Sequence, residues 1–364
     1  MSTVETNEKV EKVEHDFSIA GYTLIGPLGV DGIKYYWQKN DNIVESLAFN
    51  KRLKNNPSSE DIEISAYTIS SSFGCPLAAT QKECLFCDTG KSGFHGFLSA
   101  DDIALQSIFM AEYDSDCPSY PSIRKNAREF AFMGQGEPGY NYPAIRQAII
   151  MTDYVMMRLD QRISRYIIST SGVFDFIPIL LNDIKTKIFQ NRVSIHFSLN
   201  AIDEDRSDIM PINNIYNFKD MIGYCKALYS VTKEKIGVSI LMFDNCQLKN
   251  GINYTLTRDK LERILAVLDN DIFRIDLCAL NETSVTRHNH QLSNAMANEL
   301  LEVVKQKGFE GKIFTSFGDT QKSGLGMLSS NKEDLQEPGN TTIHHFNRAV
   351  ALLADAKKNF LKNF

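Results

Sequence analysis

The sequence predicts an α/β fold, a full or partial (β/α) barrel of about residues 63–330 with a small N-terminal β extension. Three observations carry this prediction. Short β-like runs alternate with longer stretches of helical period through those residues. Gly, Ser, Cys and Asn residues gather at the C-terminal ends of the β-like runs. Residues 18 to about 50 are β-rich, in short runs separated by turn signals. Strand followed by crossover helix, repeated, is the signature of a parallel sheet covered by helices, and such barrels place their chemistry at the C-terminal strand ends.

In chain order, residues 1–17 read as a charged tail without the apolar core of a signal peptide. In the extension, Tyr22–Ile25, Ile33–Trp37 and Ile43–Leu47 are separated by Gly, Pro, Asp and Asn turn signals, and Lys51–Asp61 is a polar loop. Barrel strands are expected near Ile64–Ser70, Phe130–Met133, Tyr166–Thr170, Val193–Leu199, Ile236–Met242, Ile272–Leu277 and Lys312–Ser316. Helical periods fill Ala100–Ala111, Tyr142–Arg158, Phe174–Leu181, Phe218–Leu228, Arg258–Leu268 and Leu292–Lys307. Residues 331–364 begin as a polar loop and end in a lysine-rich amphipathic helix.

The chain has 39 basic and 45 acidic side chains, a net charge of −6. Proteins that grip a phosphate backbone are usually basic, so this balance argues against a large RNA or DNA as substrate, although a local basic patch can hide in an acidic total. No apolar run approaches the ~18–20 residues that span a bilayer, so no membrane partner is expected. A cytoplasmic, reducing compartment follows, in which the 7 cysteines are thiols or metal ligands rather than disulfides.

Three of those cysteines carry the strongest local signal. Cys75, Cys84 and Cys87 lie in one Gly-containing loop directly after the first barrel strand. Three thiolates can hold three irons of a cubane 4Fe-4S cluster. The fourth iron then keeps an open position for an incoming ligand, here the amino and carboxylate groups of S-adenosyl-L-methionine, as catalytic metal sites do. A zinc site would need a fourth ligand, and His95 is near enough in sequence to supply one. Three packed thiols are the bland reading, because free cysteine is a common core residue. Cys117, Cys225, Cys246 and Cys278 are scattered and read as core, with Cys278 a weak candidate for a pocket thiol. His288, His290, His344 and His345 read as exposed.

Further segments follow the loop in a fixed order: Met133-Gly134-Gln135-Gly136-Glu137-Pro138, Ser169-Thr170-Ser171-Gly172, and Ser198-Leu199-Asn200-Ala201 with Asp205-Arg206 and Met210-Pro211-Ile212-Asn213. Together with Glu83–Gly90 and Asn281 they resemble the radical SAM adenine methyltransferases over about Asp31 to Leu328. The resemblance implies that Gly136 and Glu137 hold the methionine amino end of S-adenosyl-L-methionine and that Asn281 contacts the same cofactor. Phe86 would lie against its adenine. Ser169 and Ser198 would offer hydroxyls to its ribose or carboxylate. Taken singly, each serine would read as a solvated strand terminus.

The sequence also departs from that family. Its cysteines are spaced Cys-x8-Cys-x2-Cys, where the family has Cys-x3-Cys-x2-Cys, as if residues 78–82 were inserted. The two further cysteines of the family's methyl transfer are replaced by Thr68 and Leu325. A threonine hydroxyl is a poor substitute for a thiolate and leucine has no nucleophile. The family's Ser-Leu-His is Ser198-Leu199-Asn200, with Asn200 as a further cofactor-binding candidate that exchanges a titratable group for an amide, and about 17 residues precede the first β run, too few for the family's helical RNA-binding domain. The expected function is therefore reductive cleavage of S-adenosyl-L-methionine at a 4Fe-4S cluster. The resulting 5′-deoxyadenosyl radical would abstract hydrogen from a small substrate, with an electron donor such as flavodoxin or ferredoxin. The alternatives are a radical SAM methyltransferase of RNA or nucleotide adenine, and a catalytically silent barrel that binds a cluster for sensing.

Overall fold

A computed structural model describes residues 15–25, 32–53, 62–116, 127–248, 250–280, 283–286, 293–314 and 336–363. The first strands are β1 (Ser18–Ile25), β2 (Gly32–Lys39), β3 (Asn42–Leu53) and β4 (Ile62–Thr68). They form an antiparallel run in that order. The polar loop expected from Lys51 starts later, because Lys51–Leu53 pair with Ile62–Ile64 across the sheet. Polarity alone misses this, since a backbone ladder accepts polar side chains wherever a face meets water.

The chain then passes through β5 (Ser72–Gly74), α1 (Asp88–Lys91), β6 (Phe94–Phe97) and α2 (Ala100–Asp116). The alternation follows: β7 (Arg128–Phe132), α3 (Tyr142–Arg158), β8 (Ile163–Thr170), α4 (Ile177–Lys185) and β9 (Val193–Ser198). It continues with α5 (Asp203–Ile209), α6 (Phe218–Thr232), β10 (Ile236–Met242), the short β11 (Cys246–Gln247) and β12 (Asn253–Tyr254), and α7 (Arg258–Ala266). The last elements are β13 (Phe273–Ala279), α8 (Asn294–Gln306), β14 (Gly311–Phe314) and α9 (Asn340–Asn363).

Among the described residues one ten-stranded sheet has the order β1-β2-β3-β4-β7-β8-β9-β10-β13-β14. Every pair from β4 to β14 is parallel. The second edge of β4 is taken by antiparallel β3, so the described barrel is partial and the N-terminal extension is continuous with its sheet. The parallel strands are apolar on the helix-covered face, as strands buried on both sides must be. Tyr67, Phe130 and Tyr166 stack there in succession, with ring centroids 5.0 and 5.5 Å apart.

The extension joins this core through aromatics. Phe17 stacks on Trp37 at 5.4 Å, and Trp37 meets Phe109 of α2 edge-on at 5.2 Å. Helix α9 covers α2 and α3, with Phe346, Ala349, Val350 and Leu353 buried. His345 is buried too, 3.6 Å from Glu112, which corrects the expectation that it is exposed. No helix among the described residues is long and apolar enough to cross a membrane.

Candidate active site

The cysteine loop is built by a two-strand hairpin. Gly74 has φ +70°, and a Cβ there would lie 2.0 Å from Gly93 O, so the chain entering β6 approaches as closely as it does because Gly74 has no side chain in the way. The Cys75 N–H donates to Gly93 O at 2.8 Å and fixes the first thiol. The expected insertion begins in a 3-10 turn, Pro76–Thr80, closed by Gln81 at φ 56°. Ala79, Thr80 and Gln81 are exposed, so the extra residues bulge outward, as expected, and Cys75 stays in the site. Cys84 and Cys87 are tied by a backbone hydrogen bond of 3.2 Å, and Leu85 N–H is held by Ile209 O at 3.0 Å.

Cys75, Cys84 and Cys87 line one cavity of about 220 Å³ together with Phe86, Gly136, Glu137, Ser169, Ser198 and Asn200. Thr68 lines it as well. Asn281 and Leu325 lie outside the described residues. Cys278 faces the cavity, whereas Cys225 and Cys246 are core residues, and Cys117 lies outside the described residues. Behind the loop is a separate apolar cluster that includes Phe86, Met210, Ile212, Phe243 and Leu280.

As free thiols the three cysteines would be protonated. Burial pushes each of them up, and charge on Cys87 raises Cys75 and Cys84 further. A bound cation reverses that balance by favouring thiolates. The Sγ atoms do not all lie within 4.8 Å of one another, which among the described residues only His15, Asp16 and Asp102 achieve with their ligand atoms. His95 is not in the cavity wall, and its Nε2 lies 2.9 Å from Ser92 O. The Cys3His zinc arrangement is therefore not assembled. A body wider than one ion, with three thiolate ligands on one side, fits the donor set better.

Opposite the thiols, the Gly-Gln-Gly-Glu segment follows β7. A Cβ on Gly134 would come within 2.5 Å of Ser70 Oγ, and one on Gly136 (φ +111°) within 2.5 Å of Ser71 and Ser72 Oγ. These glycines let two strand ends meet beside the cavity. Glu137 Oε1 accepts from Gly139 N–H at 3.0 Å, and Oε2 accepts from Ser171 N–H and Oγ–H. Burial raises the Glu137 carboxyl, and those donors pull it down. Ser171 and Arg206 are present in the matched motifs but without an expected role; Ser171 lines the cavity and Arg206 lies behind it. Fully buried Arg206 donates to Ser171 O and Ser198 O, at 2.5 and 3.0 Å, and to Leu199 O. Its Nε has no hydrogen-bond partner among the described residues.

Asn200 is held by the protein. Its Oδ1 accepts from Leu241 N–H at 3.0 Å, its Nδ2 lies 3.2 Å from Met210 Sδ, and its backbone is left-handed at φ 58°. Asparagine tolerates that conformation better than most residues. The signal for this role was the Asn-for-His exchange itself, whose meaning depended on a backbone angle the sequence does not display.

No family model matches the chain. It is 28% identical over 274 residues to a ribosomal RNA large subunit methyltransferase, Cfr, of Clostridium botulinum, an alignment covering 74% of this chain and 70% of that protein. It is 28% identical over 264 residues to the dual-specificity RNA methyltransferase RlmN of Vesicomyosocius okutanii, covering 72% and 66%. The structure matches that of a radical SAM methyltransferase from Sphaerobacter thermophilus with a TM-score of 0.69 at 20% identity, over 87% of this chain and 82% of that one. The expectation against a large RNA does not fit these relatives, two of which are named for RNA. It rested on the few residues before the first β run and on whole-chain charge, which says little about one face. The chain is thus similar in sequence to RNA methyltransferases and shares the fold of a radical SAM methyltransferase, the resemblance its cysteine loop and strand-end motifs carry.

Proposed function

We propose that the chain methylates an adenine carried by RNA, the reaction class of its sequence relatives, and that the cavity described above is where it does so. The observation that carries this reading is the 28% identity over 274 residues to an rRNA methyltransferase. Cys75, Cys84 and Cys87 would hold the cluster. Gly136, Glu137, Ser169, Ser198, Phe86 and Asn281 would hold S-adenosyl-L-methionine. When bound, the pair supplies an electron and a carbon-centred radical. The protein's part is to orient and to exclude water. Glu137 is fixed by Ser171 and Gly139 and retains lone pairs for one more donor, such as an ammonium group. Leu241, Leu280 and Phe86 keep the upper cavity apolar. Flavodoxin or ferredoxin is the fitting class of electron donor.

One observation favours a second reading, direct hydrogen abstraction from a small substrate. Thr68 stands where the resembled family has a thiol, and its Oγ1 accepts from the buried Leu47 N–H at 3.1 Å. That hydroxyl is built into the sheet. The two readings separate in one anaerobic experiment with reconstituted protein, dithionite, S-adenosyl-L-methionine and an RNA oligonucleotide. Methylated adenine in the digested RNA, lost in Cys84→Ala, supports methyl transfer. 5′-Deoxyadenosine without a methylated base moves the assignment to hydrogen abstraction. Neither product from a fully loaded cluster sinks both.

A further inference from the structure

The lower part of the same cavity, toward the N-terminal ends of the strands, is charged. Side chains of one strand face alternate, and the cavity-facing set there is Glu129, Arg165, His196, Arg274, Asp276 and Lys312. Barrel interiors are ordinarily filled by branched aliphatic residues. Charges in such a place are costly to desolvate unless they are matched or used.

These charges fall into two groups. Arg165 Nη2 takes Glu129 at 2.6 Å, and those two residues face each other in register. Asp276 is shared by three partners: His196 Nε2 at 3.0 Å, Arg274 Nη1 at 3.3 Å and Lys312 Nζ at 3.6 Å. Burial would raise the Asp276 carboxyl, but the His196 hydrogen bond and the charges of His196, Arg274 and Lys312 outweigh it and hold the group far below the usual carboxylate range. Arg274 and Lys312 line the cavity beside Asp276 and His196, and 26% and 44% of their side-chain surfaces are exposed.

The backbone makes room for this arrangement. His196, Gly237 and Arg274 are direct neighbours across β9, β10 and β13. A Cβ on Gly237 would lie 2.2 Å from His196 Cδ2 and 3.0 Å from Arg274 Nη2. A glycine in a central strand weakens it and marks close approach by another group. Here the imidazole and the guanidinium lie across its backbone.

We infer that Arg274 and Lys312 bind an anionic oxygen group of the substrate, a phosphate or a carboxylate, through donors that Asp276 shares. The inference needs the cavity to be the substrate chamber and does not depend on whether the reaction is methyl transfer. A fork-shaped guanidinium beside an ammonium group suits an oxyanion. Asp276 competes with that anion for the same donors.

The competition gives the test. Full-length, reconstituted protein saturated with S-adenosyl-L-methionine is titrated calorimetrically with inorganic phosphate and, separately, with acetate. One of the two anions is expected to bind, and at least tenfold more weakly to Arg274→Gln and to Lys312→Gln. Asp276→Asn is expected to bind it several-fold more tightly, which a purely structural role for Asp276 would not produce. Phosphate in preference to acetate assigns a phosphate ester, and the reverse assigns a carboxylate. Equal binding by wild type and all three variants, weaker binding by Asp276→Asn, or no binding of either anion to the wild type overturns the inference. Binding is read without turnover, so a protein that holds the anion but methylates nothing loses only the proposed reaction.

Discussion

Ser171 clamps Glu137. Its backbone N–H and its hydroxyl both donate to Glu137 Oε2, at 2.7 and 2.5 Å, while its carbonyl accepts from Arg206. The carboxylate after β7 is thereby joined to the end of β8 and, through Arg206, to the end of β9. Three strand ends that face the cysteine loop share one small polar network.

Removing the Ser171 hydroxyl tests the clamp. Hydrogen bonds to charged groups contribute about 1.5–3 kcal/mol, so Ser171→Ala should lose stability on that order in urea unfolding at pH 8. The sign with pH follows from the raised Glu137 carboxyl. A group whose folded pKa is raised contributes stability below its unfolded pKa and loses it as pH rises through the folded value. Losing a donor raises Glu137 further, so the deficit of Ser171→Ala should be smaller at pH 5 than at pH 8. Equal deficits at both would show that Glu137 does not depend on this donor.

Thr68 offers a second test, independent of any cofactor. Thr68→Val keeps the shape but removes the acceptor for Leu47 N–H, a buried contact between β4 and β3. A buried donor left unmet costs about 1–3 kcal/mol. The urea midpoint should fall accordingly, and a midpoint equal to wild type would mean that the hydroxyl is not structural.

The sequence shows the parallel strands and the cysteine loop because both are local. Ile236–Met242 is predicted and observed with the same ends, since a short run with Ile236, Val238 and Ile240 in alternation and an apolar end has one sensible reading. Cys75, Cys84 and Cys87 announce themselves within one loop. What was not legible depends on distant pairing. The β5–β6 hairpin rests on Gly74 meeting Gly93. The His196–Asp276–Arg274 group is spread over two strands that are not sequence neighbours, and Arg274-Ile275-Asp276 taken alone reads as a water-facing alternation. Ser171 and Arg206 lay within matched motifs, but their bond to each other joins residues 35 positions apart.

Arg206 should be among the most sensitive positions in the chain. It is fully buried and serves the carbonyls of Ser171, Ser198 and Leu199. Burial draws its guanidinium down to about 10, against the charges of Cys84 and Glu137. Arg206→Met leaves buried carbonyls unmet, at about 1–3 kcal/mol each. A loss of at least ~3 kcal/mol in urea unfolding is expected. Arg206→Lys, which keeps the charge but lacks the fork, should recover only part of it. Full recovery by lysine would show that charge alone matters there.

The buried ion pair of the extension gives the clearest pH dependence. Lys34 Nζ lies 2.9 Å from Glu45 Oε2, with both side chains at 2% exposure or less. Burial pushes the Glu45 carboxyl up to about 7, although the charge and hydrogen bond of Lys34 pull it down. Its folded pKa is raised, so the stability linked to it is fully present below the ordinary carboxylate value and drains away as pH rises through about 7. Lys34→Met removes the compensating cation and drives Glu45 higher. At pH 8 the variant must either bury an unpaired carboxylate or hold a proton against the solution, and a loss of about 3–5 kcal/mol is expected. At pH 5 Glu45 is already largely protonated, and the loss should be much smaller. The double variant Lys34→Met/Glu45→Leu should return to wild-type stability or exceed it, because an apolar pair carries no desolvation cost. Urea unfolding at the two pH values decides the matter: a Lys34→Met deficit of the same size at pH 5 and pH 8 would mean that Glu45 is not the titrating partner.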